Sequence, residues 1–169
     1  MSKITNIANE VEEKIDINRA QIEHRATWMA LIFDEMRKAG IENAEQIVRK
    51  AIKRTGIYHG SLFKAQCADP ENCVDFRNAF LGDVGVSSFN MDNIKADHDN
   101  VNVDFHYCAL VNAWQKQGFD EETIALLCDM AMDGDRGIAE AMGLELDLGD
   151  TIAKGCASCK LHFKKTEQE

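Results

Sequence analysis

A single proline and eleven glycines among 169 residues exclude a proline-rich linker protein and a collagen-like repeat. No apolar run approaches the ~20 residues that a membrane-spanning helix requires. The stretch from Met1 to Glu13 also lacks the apolar block of a signal peptide. A cytoplasmic location with no membrane partner is therefore expected. Positive charge is scarce, with 19 basic against 29 acidic residues and a formal charge of -10. The deficit is uneven. The first sixty residues hold ten Lys/Arg and nine Asp/Glu, which leaves nine against twenty for the remainder. A phosphate-tracking groove fits such a balance poorly, so no nucleic-acid partner is expected. Walker and G-x-G-x-x-G loops are absent, as are H-E-x-x-H and a nucleophile-elbow serine, and no cofactor is expected.

What is present is an ordinary globular composition, 45% hydrophobic and 28% charged, in a chain long enough for a core without disulfides. In a reducing compartment the six cysteines (Cys67, Cys73, Cys108, Cys128, Cys156 and Cys159) are thiols, ligands or small buried hydrophobes. Alternating steps of four and three from Ile4 give Ile4, Ala8, Val11, Ile15, Asn18, Ile22, Arg25, Met29, Ile32 and Met36. Eight of these ten are apolar, the seam of a helix over residues 4–38. Such a helix either lies on its own domain or packs on a second subunit, with Asn18 fixing the register. Exposed isoleucines at its N-terminal end favour a homo-oligomer. A second helix is expected from Glu42 to Thr55.

Residues 56–88 read as less regular, with Gly56, Gly60, Gly82 and Gly85 as punctuation. A short helix there starts at Asp69-Pro70 and runs to Leu81, burying Cys73 or Val74 with Phe76 and Phe80. From Ser88 the period becomes two: Phe89 and Met91, then Val101, Val103, Phe105 and Tyr107, joined by a turn at Asp97–Asn100. Helices follow at Ala109–Trp114 and from Asp120, and strands at Leu144–Leu148 and Cys159–Phe163. The layout predicts an α+β protein, with a long N-terminal helix and further helices on one face of an antiparallel sheet of about four strands. Residues 1–56 form an N-terminal helical region, 57–165 the α+β domain and 166–169 a polar tail.

The opposite sheet face carries Asp92, Asp104, His106, Glu145, Asp147 and His162. That set can bind a divalent cation or perform acid–base work, and it can equally be the water-facing side of a sheet. Cys108 sits where a strand gives way to a helix. There the helix dipole and free N–H groups favour thiolate. If the strand persists, Asp104 and His106 share its parity, and a cysteine with a nearby base is the minimal nucleophilic arrangement. The alternative is a small core thiol. Cys128 lies on an apolar helix face beside Ile124 and Leu127. Cys156-Ala-Ser-Cys159, extended by His162, is a lone C-x-x-C-x-x-H that could begin a zinc site with Cys67 or Cys73, but without a second C-x-x-C no metal is expected.

Several of these residues form a recognisable series. The run Tyr107-Cys108-Ala109-Leu110-Val111, then Trp114, Gly118-Phe119, Leu127-Cys128-Asp129, Gly149-Asp150-Thr151-Ile152, Gly155 and Cys159-Lys160-Leu161-His162-Phe163 resembles the L-2-amino-thiazoline-4-carboxylic acid hydrolase family over residues 100–165. Upstream, Arg54-Thr55-Gly56 and Gly60 are compatible with its glycine-containing segment. The family pattern has an acidic residue three after the middle cysteine, where this chain has Ala131 between Asp129 and Asp133. The resemblance implies hydrolytic opening of a small cyclic amidine bearing a carboxylate. Cys108 would act as nucleophile, with His106 or Asp104 as base, and Cys128, Cys159 and Asp129 would line the substrate pocket. A basic residue must meet the substrate carboxylate, with nine candidates after residue 60. The rival class is a non-catalytic module that binds a small molecule or metal and dimerises through its first helix.

Overall fold

The computed structural model describes residues 3, 5–9 and 12–166. The first helix, α1, spans Glu13–Lys38 rather than starting at Ile4, and residues 5–9 are irregular. Its acidic first turn (Glu13, Asp16) and basic last turn (Arg37, Lys38) both oppose the helix dipole. The face it buries runs through Ile15, Arg19, Ile22, Ala26, Ala30 and Phe33. These side chains sit on α4 (Asp83–Ser88) and α5 (Ala109–Lys116) of the same chain. Much of the seam is thus buried within the chain. Ile15 is 1% exposed, and Asn18 donates to Ser88 Oγ of the same chain at 2.7 Å. Ile4 and Val11 lie outside the described residues. The exposed apolar residues Ile17, Trp28 and Leu31 belong to other sides of α1, and Ile32, a seam position, is also exposed.

Arg19 ties this packing together. Buried, it donates through Nε to Ser88 O at 3.0 Å and through Nη2 to Ser87 O and Asn90 Oδ1, and its guanidinium covers the Tyr107 ring at 4.6 Å. A planar fork with five donors is suited to collecting the carbonyls at the end of a short helix.

The second helix, α2, spans Ala44–Gln66 and does not stop at Thr55. Gly56 and Gly60, which read as loop residues, lie inside it. Each glycine costs ~1 kcal/mol of helix propensity relative to alanine. The gain is close approach to α7 (Asp133–Met142), because a Cβ on Gly56 would meet Gly134 O at 1.9 Å and one on Gly60 would meet Ile138 Cα at 2.9 Å. From α7's side, a Cβ on Gly137 would lie 2.4 Å from Lys53 O. The two helices touch backbone to backbone. Residue 56, read as the end of an N-terminal region, is therefore mid-helix.

Helix α3 spans Cys73–Phe80, capped by Asn72 accepting from the Val74 N–H rather than by Asp69. It buries Cys73 and Phe76, and its phenylalanines pack on the sheet through Phe163, with ring centroids 5.3 Å apart for Phe76 and 5.4 Å for Phe80. Between the two strand pairs stand α5, α6 (Glu121–Ala131) and α7, where two helices were expected. The residues Asp133-Gly134-Asp135 look like a turn, yet α7 starts directly after α6 and ends at Gly143, whose φ of +75° is the left-handed cap.

The sheet is fully antiparallel with order β1-β2-β4-β3, from β1 (Met91–Ala96), β2 (Asn100–Phe105), β3 (Leu144–Leu148) and β4 (Cys159–Lys165). Val101, Val103, Leu161 and Phe163 turn inward to the helices, while Asp104, His162 and Asp147 share the other face. This is the α+β arrangement with one covered face that the alternation predicts. Among the described residues no helix is long and apolar enough to cross a membrane.

Because Ile15 is core, Ile15→Asp should unfold the chain rather than dissociate an assembly. An unpaired buried charge there should cost of the order of 4 kcal/mol. Urea unfolding followed by circular dichroism measures it, and a stable variant that changed only in light-scattering mass would reverse the assignment of the seam.

Candidate active site

The strand that leads to Cys108 stops at Phe105, after which the His106 and Tyr107 N–H groups donate back to Phe89 O. This closing turn delivers Cys108 to the N-cap of α5, in extended conformation with φ -136° and ψ 110°. Asn6 then holds its backbone from both sides: Asn6 Nδ2 donates to Cys108 O at 2.9 Å, and the Cys108 N–H donates to Asn6 Oδ1 at 2.6 Å. The thiol feels opposing influences. Burial dominates and holds it above its ordinary value, with Asp135 adding to the rise, while the N–H groups of Val111 and Leu110 and the charge of Arg25 offset this only in part. Free N–H groups at a helix start are the ordinary way to stabilise a thiolate.

Two further cysteines lie within electrostatic reach. Cys128 on α6 is pushed up by burial first and by the charge of Cys108 second. Cys159, the first residue of β4, is raised to about 12 for the same two reasons, and its sulfur accepts the Ile152 N–H at 3.2 Å. Both are buried, while Cys108 keeps partial access to solvent. Asp135, in the first turn of α7, bears on all three thiols, and burial lifts its own carboxyl to about 6 against the pull of Arg25. Like Cys108 it is only partly exposed. Arg25 of α1, Cys108, Cys128 of α6, Asp135 of α7 and Cys159 of β4 are thus linked electrostatically. The group joins one partly accessible thiol to a carboxyl poised near neutrality and to two more deeply buried thiols.

The residues read from the strand as partners of Cys108 go elsewhere. His106 Nε2 lies 2.8 Å from Asp92 Oδ1, and Asp104 Oδ2 accepts from Asn93 Nδ2 at 2.9 Å. Ligand atoms of Asp92, Asp104 and His106 fall within 4.8 Å of one another, a spacing that could hold a cation. A shallow depression lined by Asn9, Ser87, Asn90, Asp92 and His106 opens beside them. Strand parity fails as a guide because the strand ends three residues before Cys108. The side chains that bear on the thiol are Arg25 and Asp135. Asp129 also has another employment. Its two oxygens take Arg49 and Arg136 at 2.7 Å each, and Asp133 joins the same arginines, so the carboxylate is a strut between α2, α6 and α7. Cys159 and His162 stand on opposite faces of β4, with His162 Nε2 at 2.8 Å from Asn100 Oδ1, so C-x-x-C-x-x-H does not close around one ion.

Asp135 and Arg25 are the two members that the sequence reading passed over. Asp135 is hidden in a stretch that looks like a turn. Arg25 left a trace, being one of two polar positions in an otherwise apolar seam.

Comparison with protein families gives one finding: the family model described as L-2-amino-thiazoline-4-carboxylic acid hydrolase matches residues 19–163. Comparison with curated proteins gives no match. The matched span starts at Arg19, well before the resemblance over 100–165, and contains all five linked residues.

Two outcomes follow from the site's electrostatics. Iodoacetamide at neutral pH should modify Cys108 faster than Cys128 or Cys159, as mapped by peptide mass spectrometry, and equal slow labelling would make Cys108 an ordinary core thiol. Asp135 binds its proton more tightly folded than unfolded, so native stability should fall as pH rises from about 4 to about 6 and then level off. Asp135→Asn removes that loss, roughly 2–3 kcal/mol at neutral pH, so its gain in thermal midpoint should be larger at pH 7.5 than at pH 5. A pH-independent gain, or none, contradicts the assignment.

Proposed function

We propose, from the premise that the chain belongs to the L-2-amino-thiazoline-4-carboxylic acid hydrolase family, that it opens small cyclic amidines such as 2-amino-thiazoline-4-carboxylate by hydrolysis. The observation that carries this reading is Cys108 at the N-cap of α5, partly accessible and within the electrostatic influence of Asp135, a carboxyl raised to about 6. The reactive centre of the substrate is the ring carbon between nitrogen and sulfur. Asp135 in its ionised form takes the Cys108 proton, and the thiolate adds to that carbon. The tetrahedral centre collapses with loss of the ring nitrogen, which receives the proton from Asp135. Water then displaces Cys108, with Asp135 again as base, and the released product is a carbamoyl-cysteine. One water is consumed and no redox change occurs.

An acid near neutrality matters most for a nitrogen leaving group, which must be protonated to depart, and less for a thiolate. That preference favours cleavage of the C–N bond over the C–S bond. Cys128 and Cys159, buried and pushed up by burial, stay as thiols and leave Cys108 as the one to react.

Ring opening of 2-amino-thiazoline-4-carboxylate, followed by loss of its ultraviolet absorbance, tests the reading directly. Turnover should rise through pH ~6 as Asp135 ionises. Cys108→Ala should abolish it, and Asp135→Asn should lower it by about 10²–10⁴-fold and remove the pH limb. Full turnover in Cys108→Ala would refute the nucleophile, and no ring opening by the unmodified protein would refute the activity.

A further inference from the structure

We infer that Asp92, Asp104 and His106 form a binding site for one zinc-class divalent ion on the uncovered face of the sheet, independent of the hydrolase reading. The pairing of β1 with β2 builds the site. Asp92 and Asp104 are direct cross-strand partners and so share a face. His106 follows Asp104 by two residues, and the turn that closes β2 brings its Nε2 to 2.8 Å from Asp92 Oδ1. One ligand atom from each of the three residues falls within 4.8 Å of the others. Zinc bonds of ~2.0–2.2 Å in a tetrahedron set neighbouring ligand atoms about 3.3–3.5 Å apart, so side-chain rotation is enough to close the three on one ion. A neutral imidazole with two carboxylates suits such an ion better than calcium or magnesium, which take oxygen ligands.

The surroundings are those of a metal site. Carboxylates directly opposite each other on paired strands destabilise the pair, and a shared cation removes that cost. Lys160, the partner of Asp104 on β4, lies 2.8 Å from Asp150 and is engaged there. The strand is also bent at this point. From Asp92 to Lys95 β1 advances three residues while β2 moves two, from Asp104 to Asn102, and the bulge contains Asn93, whose φ of +49° is left-handed. Bulges re-aim side chains, and here Asn93 Nδ2 donates to Asp104 Oδ2 at 2.9 Å, the kind of outer bond that orients a ligating carboxylate. Beside Asp92 and His106 a depression of about 220 Å³ gives the open position room for water or a small anion. Asn90, 8% exposed, lines that depression with its Oδ1 held by Arg19 Nη2 at 2.9 Å, which leaves its amide nitrogen as the donor on that wall.

Calorimetric titration of the whole, chelator-treated protein with zinc chloride tests the site. One ion per chain should bind saturably. His106→Ala and Asp92→Asn should each weaken binding at least tenfold, and Asn93→Gly, which keeps the left-handed backbone but removes the outer bond, several-fold. Circular dichroism should show the variants folded, because the His106 and Asp92 side chains are 39% and 59% exposed. Cobalt(II) in place of zinc reports the ligands. Its spectrum should lack a thiolate charge-transfer band, since among the described residues no cysteine joins the cluster. Absence of binding by the unmodified protein overturns the site. So does binding that survives both His106→Ala and Asp92→Asn, or a cobalt spectrum dominated by thiolate, which would move the ion to the cysteines.

Discussion

The contact on which the rest of the site depends is the meeting of α2 and α7 without side chains between them. A Cβ on Gly56 would fall 1.9 Å from Gly134 O, and one on Gly137 would fall 2.4 Å from Lys53 O, so neither helix can carry a larger residue at the crossing. Overpacking of this kind is not relieved by a rotamer change, because the opposing atoms are backbone. The crossing fixes how α7 is rotated about its axis. Asp133 then points to Arg49 and Arg136, which also hold Asp129 of α6, and Asp135, two residues on, is brought to bear on the cysteines. One glycine contact thus separates two nearby carboxyls into a structural ion pair and a chemical group.

The environments of those carboxyls diverge accordingly. Asp129 lies between two guanidinium groups and is held below the usual carboxylate range despite its partial burial. Asp135 meets burial with the charges of Arg25 and Arg136 and its own backbone N–H offsetting it only in part, and rises to about 6. The same logic orders the thiols. Cys128 and Cys159 are buried without a cation among the influences on them, while Cys108 alone has Arg25 and two helix N–H groups pulling it down. Charge on Cys108 raises the other two, so a single thiolate in the cluster suppresses further ionisation. Of the three, Cys108 has the most opposing its burial.

The fold was legible wherever periodicity reports a buried face. The alternation of Val101, Val103, Leu161 and Phe163 gave the covered side of the sheet, and Asp120 marked the start of α6 as its cap. Legibility failed where glycine has two meanings. Gly56 and Gly60 read as punctuation, but in α2 they allow close packing, a property that appears only once α7 is in place. Helix α7 was not expected at all, since the two helices read between the strand pairs correspond to α5 and α6. Cys108 was visible because a change of period marks a helix start, and the structure puts it at that cap. Its partners were not visible, since His106 and Asp104 are close in sequence while Arg25 and Asp135 bear on it only through the tertiary fold.

The seam of α1 shows how an apolar pattern can be correct and its meaning different. Ile15, Ile22 and Met29 are spaced as for a coiled coil, and that spacing is satisfied by α4 and α5 of the same chain. Polar residues in such a seam carry a desolvation cost, and each needs its own compensation. Asn18 obtains it from Ser88 Oγ at 2.7 Å, a bond that secures the short helix α4. Arg25 has no such partner among the described residues and stays exposed beside Cys108 and Asp135. Its charge keeps its water, so there the cost is avoided rather than compensated.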